Sequence, residues 1–243
     1  MSGRIGQRAM VLAAGLGLRM RPLTERMPKP LVPVCGRPLI DWGLDALQRA
    51  GVAEAVVNVH HLPDMLIAHL TARSSPRIII SDERDRLLDS GGALVKALPH
   101  LGTEAPFFVL NADTLWIDRN ESNLCRLRLA WDEAAMDILL LLADPAAATG
   151  HTGKMDFIMG PGGRLRRAGS SREGFIYAGA ALFHPGLLEG AAAEPHSLNL
   201  YFDRAIAAGR LYGLPLEGHW ITVGTPDAIA PAEAELRRLG AAP

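Results

Sequence analysis

Cysteine and lysine are scarce in this sequence. The two cysteines, Cys35 and Cys125, lie far apart and outside any spacing typical of a structural metal site. Because disulfides persist mainly in oxidising compartments, this usage favours reduced thiols in a cytoplasmic protein. The lysines are Lys29, Lys96 and Lys154 alone, so a lysine beside a glycine-rich loop stands out.

Long hydrophobic runs and a strong net charge are missing as well. No apolar run approaches the ~20 residues that a membrane span needs, and the amino terminus lacks the apolar core of a signal sequence. The formal net charge is -1, which favours neither a nucleic acid nor a membrane surface as a partner. A length of 243 residues with 49% hydrophobic content instead suits one large α/β domain with a sizeable core.

The segment from Val11 to Pro30 carries the strongest local pattern. An apolar run over residues 10–14 predicts a buried strand, and Gly15 and Gly17 follow it directly. Glycine lets backbone N–H groups approach an anion closely, and cations in the same loop add charge where phosphates would lie. These cations are Arg19, Arg21 and Lys29. We interpret the segment as a cradle for a nucleoside triphosphate.

A glycine pair of this kind also occurs in several unrelated structures. A Gly-x-Gly pair alone is typical of a tight turn after a strand, and that alternative stays open. A dinucleotide fingerprint needs a third glycine where Met20 stands, and a Walker P-loop needs Gly-Lys-Ser/Thr where Leu18 and Arg19 stand. A nicotinamide enzyme would also need a ribose-binding carboxylate after the second strand, where Asn58 and His60 stand instead.

Hydrophobic periodicity predicts alternating strands and helices. The predicted strands cover residues 10–14, 55–59, 77–81, 106–110, 138–143 and 211–214. The predicted helices include residues 39–50, 63–70, 121–134, 198–208 and 226–239, the last capped by Thr225. This alternation predicts an α/β fold with a doubly wound, mostly parallel central sheet. Residues 145–163 and 175–183 are expected to form shorter strands on a second β face.

A carboxylate follows one of the central strands. The strand at residues 106–110 ends in Asn111, Ala112 and Asp113, at the edge where parallel sheets bind ligands. Asp113 is a candidate ligand for Mg²⁺, which prefers oxygen atoms and phosphate partners. An aspartate in this place can also serve only as a turn residue.

The string LAAGxGxRMRPLTxxxPKPLVPVxGxPLI, over residues 12–40, resembles the signature of the sugar-phosphate nucleotidyltransferases, or nucleotide-sugar pyrophosphorylases. The resemblance implies a Rossmann-like, GT-A-like nucleotidyltransferase fold with a small acceptor-binding β subregion. It implies one domain over residues 1–243, with a nucleotide-binding half at about 8–115 and a sugar-phosphate-binding half at about 136–225. The implied partners are a nucleoside triphosphate and a sugar 1-phosphate, with no nucleic acid and no membrane.

A second glycine segment, LDSGGA at residues 88–93, resembles the family segment that contacts the nucleobase. From the residues alone it is either a glycine turn against which a flat base lies or the flexible lead of a helix that runs through Ala97. The resemblance implies a nucleotide-binding set of Leu12, Ala13, Ala14, Gly15, Gly17, Arg19, Lys29, Ser90, Gly91, Gly92 and Asn111.

The same resemblance implies the catalytic groups. Arg19 and Lys29 would hold phosphates, and Asp113 would hold Mg²⁺. The closing segment at residues 218–236 departs from the family pattern, because Thr222 stands where a second metal-binding aspartate is usual. That departure keeps a non-catalytic nucleotide-sugar binding protein open as an alternative.

The fragment GKMDF at residues 153–157 resembles a run in the uridylyltransferases that act on N-acetylmuramate 1-phosphate in cell-wall sugar recycling. The resemblance places Gly153, Lys154 and Asp156 near the sugar phosphate, and Gly179 beside the sugar. Lys154 and Asp156 are alternatively a solvated pair on a strand. Mannose-1-phosphate guanylyltransferase and glucose-1-phosphate thymidylyltransferase are the other candidates for the substrate pair.

Overall fold

Strands and helices alternate along most of the chain. The computed structural model describes residues 5–241. Its strands are β1 (Arg8–Leu12), β2 (Pro33–Val34), β3 (Arg37–Pro38), β4 (Glu54–Val59), β5 (Arg77–Asp82), β6 (Phe107–Asn111), β7 (Thr114–Asp118), β8 (Ile138–Ala143), β9 (Ala148–Thr149), β10 (Phe157–Met159), β11 (Leu165–Arg167), β12 (Ile176–Phe183), β13 (Leu211–Pro215) and β14 (Gly218–Thr222). Its α-helices are α1 (Leu39–Arg49), α2 (Pro63–Thr71), α3 (Asp89–Leu101), α4 (Asn123–Ala130), α5 (Asn199–Ala207) and α6 (Ile229–Arg238).

The central sheet has seven strands in the order β13-β8-β12-β6-β1-β4-β5. Strand β1 is parallel to both β4 and β6, β4 is parallel to β5, and β8 is parallel to β13. Strand β12 is antiparallel to both β6 and β8. The predicted mostly parallel sheet is therefore confirmed, with one antiparallel strand inserted between its two halves.

Apolar residues on successive strand positions point to opposite faces of this sheet. Ala9 and Val11 pack with the apolar residues of α1, α2 and α4 on one face. Met10, between them, packs with those of α3 and α5 on the other face. Because side chains alternate along a strand, one continuously apolar strand serves two helix layers, which is the predicted doubly wound arrangement.

A smaller sheet lies beyond the carboxyl end of β6. It has the order β7-β14-β9, and β7 pairs with β14 in antiparallel fashion. Its apolar residues pack against α6 and the chain after the glycine loop, with Leu115, Ile221 and Val32 fully or almost fully buried. None of the helices in the described residues has the length and apolar character of a membrane span.

Three local predictions were wrong, and one open alternative is decided. Residues 176–183 form β12 inside the central sheet rather than a short strand of a second face, because both faces of this apolar strand are covered. Helix α4 ends at Ala130, because Trp131 takes an extended backbone conformation. Thr225 makes no side-chain cap, and a 3-10 turn, Pro226–Ala228, precedes α6. The alternative left open for LDSGGA is decided in favour of the helix, because Gly91 and Gly92 lie inside the first turn of α3.

Candidate active site

A cavity of about 400 Å³ opens at the carboxyl ends of β1 and β6. The chain leaves β1 toward β4 on one side and later places β6 on the other side, so the cavity lies where the strand order reverses. Open α/β sheets bind ligands at such a point. The lining includes eight residues predicted from the sequence: residues 12–15, Lys29, Ser90, Asn111 and Asp113.

Lys29 and Asp113 form the charged centre of this cavity. Lys29 Nζ donates to Asp113 Oδ2 at 2.6 Å. The lysine side chain is 12% exposed and the aspartate side chain 34% exposed, so the pair is only partly screened by solvent. Asp113 Oδ1 has no hydrogen-bond partner among residues 5–241. The pair therefore presents a cation for phosphate together with a carboxylate oxygen that is available to a metal ion.

The two glycines of the loop play different roles. Gly17 has a φ of 61°, and its carbonyl accepts a hydrogen bond of 2.8 Å from Thr24 Oγ1. A Cβ at Gly17 would lie 2.8 Å from Thr24 Cγ2, so glycine is needed here for the shape of the loop. A Cβ at Gly15 would meet nothing within 4 Å. Gly15 thus leaves bare backbone at the cavity, as an anion cradle requires.

Four of the predicted nucleotide-binding residues do not line the cavity: Gly17, Arg19, Gly91 and Gly92. Arg19 is exposed, and its Nη1 lies 3.4 Å from the place a Cβ on Gly224 would take. Gly91 donates its backbone N–H to the His196 carbonyl at 2.8 Å. A Cβ on Gly92 would collide with the carbonyl oxygen of Glu194. The glycine pair of α3 therefore permits close packing against residues 194–196.

Asn58 and Glu83 are site residues that the sequence did not single out. Asn58 Oδ1 accepts the N–H of Ala13 at 2.7 Å, and its Nδ2 donates to Glu83 Oε1 at 2.9 Å. Glu83 Oε2 accepts the N–H of Leu88 at 3.1 Å. The two side chains are 3% and 1% exposed. This buried chain of hydrogen bonds joins the glycine loop to the start of α3. Its only signal in the sequence is a polar residue at the end of β4 and another directly after β5.

A second cavity of about 240 Å³ adjoins the first and shares Leu12, Ser90 and Asn111 with it. Asp156, one of the predicted acceptor residues, lines this cavity, and its Oδ2 accepts the N–H of Tyr177 at 2.8 Å. The other predicted acceptor residues, Gly153, Lys154 and Gly179, are not part of the lining.

Gly179 lies behind the site rather than within it. Its φ is 78°, and a Cβ there would lie 2.5 Å from Thr114 Oγ1 and 3.2 Å from Asn111 Nδ2. The absence of a side chain therefore lets β12 approach the residues on either side of Asp113.

Thr222 is placed close to Asp113, as expected of the second metal-ligand position. Thr222 pairs with Thr114 in the small sheet, and the N–H of Val223 donates to the Asp113 carbonyl at 3.4 Å. Among residues 5–241, no three His, Cys, Asp or Glu side chains converge on one point. Mg²⁺ is commonly held by one or two carboxylates, waters and substrate phosphates, so the single carboxylate of Asp113 fits such an ion.

Comparison with known proteins identifies the family to which the chain belongs. The sequence matches the family model described as nucleotidyl transferase over residues 8–150. An N-acetylmuramate alpha-1-phosphate uridylyltransferase of Caulobacter vibrioides is 43% identical over 234 residues, which cover 94% of this chain and 96% of that protein. The chain belongs to the nucleotidyltransferase family. The predicted family, and with it the prediction that the chain is an enzyme, are confirmed.

This nucleotidyltransferase also resembles a second protein of the same name and a solved structure. The N-acetylmuramate alpha-1-phosphate uridylyltransferase of Neisseria meningitidis serogroup B is 32% identical over 230 residues, covering 93% of this chain and 97% of that protein. UDP-glucose pyrophosphorylase complexed with UDP-glucose superposes with a TM-score of 0.78 over 97% of this chain and 99% of that chain. At 16% identity, this superposition confirms the predicted fold and nothing finer.

Proposed function

We propose that this nucleotidyltransferase joins UTP and N-acetylmuramate 1-phosphate to give UDP-N-acetylmuramate and pyrophosphate. The observation that carries the choice of substrates is the likeness to the Caulobacter protein of that activity along nearly the whole length of both chains. The two adjoining cavities support it, because one is lined by the glycine loop and the other by polar residues suited to a sugar.

The proposed reaction is a displacement at phosphorus. An oxygen of the sugar phosphate attacks the α-phosphorus of UTP, a new P–O bond forms, and the bond between the α-phosphorus and the bridging oxygen breaks. Pyrophosphate leaves with that oxygen. The nucleophile is already an anion, so the site needs no general base. Its task is to align two anions and neutralise their repulsion.

The residues divide this task between them. Lys29 holds the α-phosphate and the attacking phosphate. The backbone N–H groups of residues 15–17, together with Arg19, hold the β- and γ-phosphates. The base lies toward Ser90, Gly91 and Gly92, and Asn111 lies where the nucleotide meets the acceptor. The acceptor lies in the second cavity, beside Asp156, the one residue of the predicted acceptor set that lines it.

Asp113 is the residue that would hold Mg²⁺, with phosphate oxygens completing the coordination. Its support is that Asp113 lines the first cavity and that its Oδ1 has no hydrogen-bond partner among residues 5–241. Mg²⁺ bound there would withdraw charge from the phosphate oxygens. The Thr222 hydroxyl is a neutral and weaker ligand than the usual carboxylate, so we assign the metal to Asp113 first.

Residues 1–243 form one catalytic unit in this proposal, with the nucleotide half at about 8–115 and the sugar-phosphate half at about 136–225. The enzyme would act in the cytoplasm, where nucleoside triphosphates are made, and would take part in the recycling of cell-wall sugars. The same chemistry with mannose 1-phosphate and GTP, or with glucose 1-phosphate and dTTP, is the alternative for its substrates.

Pyrophosphate release from a panel of nucleoside triphosphates and sugar 1-phosphates, with and without Mg²⁺, tests the proposal. We expect release with UTP plus N-acetylmuramate 1-phosphate, and only when Mg²⁺ is present. Faster release with another pair would keep the mechanism and correct the substrates. Nucleotide binding without release from any pair would contradict the proposed reaction.

A further inference from the structure

Arg167 is the only arginine or lysine that lines the second cavity within the described residues. It ends β11 and lines that cavity together with Ser90 and Asn111, which belong to both cavities. Lys29, the cation proposed for phosphate, lines only the first cavity. The two cations are therefore assigned to different parts of the site.

The guanidinium of Arg167 is held in place on one edge. Its Nε donates to Asp203 Oδ1 at 2.8 Å, and its Nη2 donates to Asn199 Oδ1 at 2.9 Å and to the Asn199 carbonyl at 3.4 Å. The guanidinium carbon lies 5.0 Å from the centre of the Phe157 ring and 5.6 Å from that of Phe202. Nη1 has no hydrogen-bond partner among residues 5–241. The group is thus fixed in orientation and keeps donors for a ligand.

Asp203 pairs with Arg167 and Asp156 lines the same cavity, yet within the described residues neither carboxylate takes up the Nη1 donors of Arg167. Asp203 neutralises part of its charge, but its side chain is 62% exposed, so solvent screens that pair. Asp156 lines the same cavity and has one oxygen occupied by the Tyr177 N–H. The Tyr177 hydroxyl is buried without a partner among the described side chains, and burial, with the nearby charge of Asp156, raises its pKa. The phenol therefore stays protonated in the wall of the cavity.

We propose that Arg167 determines acceptor specificity by binding a carboxylate carried by the sugar 1-phosphate, in addition to the phosphate that all acceptors share. This inference rests on the proposed function. A planar guanidinium matches a carboxylate better than an ammonium group does. N-acetylmuramate differs from N-acetylglucosamine by a lactyl ether that ends in a carboxylate. A site whose donors bind this carboxylate discriminates against a sugar that lacks the carboxylate.

Arg167→Met tests the inference when two acceptors are compared with UTP. For N-acetylmuramate 1-phosphate we expect KM to rise about 10- to 100-fold with a much smaller change in kcat, since a charged hydrogen bond to the substrate is lost. For N-acetylglucosamine 1-phosphate, kcat/KM is expected to change far less. The preference of the enzyme between the two acceptors therefore collapses. Arg167→Lys, which keeps the charge and loses the fork, is expected to fall between the wild type and Arg167→Met.

Arg166→Met is the matched control, because Arg166 precedes Arg167 on β11 and is exposed, with its side chain on the other face of the strand. This variant should keep the wild-type preference. Stabilisation by UTP, measured as a thermal shift, shows whether Arg167→Met retains a folded nucleotide site. If it does not, the comparison of the two acceptors is made with Arg167→Lys.

Three outcomes would overturn the inference. An equal loss with both acceptors would show that Arg167 binds the shared phosphate or only supports the fold. If the wild-type enzyme has no preference for the carboxylated acceptor, Arg167 does not determine acceptor specificity. If the wild type turns over neither acceptor, the proposed function fails; calorimetric binding of both sugar phosphates then tests Arg167 directly, and equal or absent binding counts against it.

Discussion

At the scale of single residues, the Lys29–Asp113 pair shapes the chemistry of the site. The two residues are 84 positions apart and meet at 2.6 Å. Each is held in place by a partner of opposite charge, so the lysine is oriented before any ligand arrives. Preorganised charge of this kind is effective because little reorganisation remains for the reaction itself.

Replacing Lys29 with methionine tests this role. We expect kcat/KM to fall about 100- to 1000-fold, comparable to the loss of one preorganised donor in an enzyme site. Lys96→Met is the control, because Lys96 is exposed on α3 and donates to the Asp82 carbonyl, outside both cavities. Steady-state kinetics, with circular dichroism to verify folding, gives the measurement. A loss below tenfold in a folded Lys29→Met protein would remove Lys29 from the mechanism.

The metal assignment is tested at Thr222. Thr222→Asp adds a carboxylate beside Asp113, and Mg²⁺ affinity rises with the number of charged ligands. We expect the Mg²⁺ concentration for half-maximal activity to fall about tenfold, whereas the neutral Thr222→Asn should leave it near the wild-type value. Asp113→Asn is expected to abolish the response to Mg²⁺. An unchanged Mg²⁺ dependence in Asp113→Asn would place the metal elsewhere.

At the scale of elements, β12 is the strand on which the site depends. It is antiparallel to both of its neighbours, and its register with β8 shifts between Tyr177 and Ala181. Gly179 lies in that shift with its left-handed backbone. The shift brings Tyr177 to the second cavity while keeping the rest of the strand in the core, so a local irregularity positions a site residue.

Gly179→Ala is expected to destabilise the protein by about 3 kcal/mol, from backbone strain together with overpacking against Thr114 Oγ1. Gly209→Ala separates the two causes. Gly209 has a φ of 67° but open space where a Cβ would lie, so only strain of about 1 kcal/mol is expected there. Urea denaturation of both variants gives the free energies of unfolding. Equal losses in the two variants would show that packing at Thr114 contributes nothing.

At the scale of the whole molecule, one sheet joins strands from the two halves of the chain. The parallel strands β5, β4, β1 and β6 come from the first half of the chain, and β12, β8 and β13 come from the second. Both cavities open where these halves meet at β6. Ligand binding should therefore stabilise the molecule as a whole.

UTP with Mg²⁺ is expected to raise the unfolding temperature. A ligand at 100 times its dissociation constant stabilises the native state by about 2.7 kcal/mol, which corresponds to about 5–10 °C for a chain of this size. Differential scanning fluorimetry measures the shift. Lys29→Met should lose most of it, whereas Lys96→Met should retain it. Equal shifts with UTP and with the other nucleoside triphosphates would contradict the proposed base preference.

Most of the fold follows from local patterns in the sequence, and its exceptions have local causes. Apolar runs located every strand of the central sheet, because periodicity and burial are linked in a buried strand. The short strand β7 was missed, since it follows Asp113 after a tight turn and gains its stability by pairing with β14, about a hundred residues later. The antiparallel placement of β12 was missed for the same reason.

The sequence by itself determined the glycine loop, the carboxylate after β6 and the family, because backbone freedom, strand ends and motif spacing are properties of neighbouring residues. Only the tertiary structure decided which distant groups meet: Lys29 with Asp113, Asn58 with Ala13 and Glu83, and Arg167 with the cavity that Ser90 and Asn111 share. Those contacts depend on strand order, register and helix packing, which are set by the burial energy of the whole chain and leave little trace in any short segment.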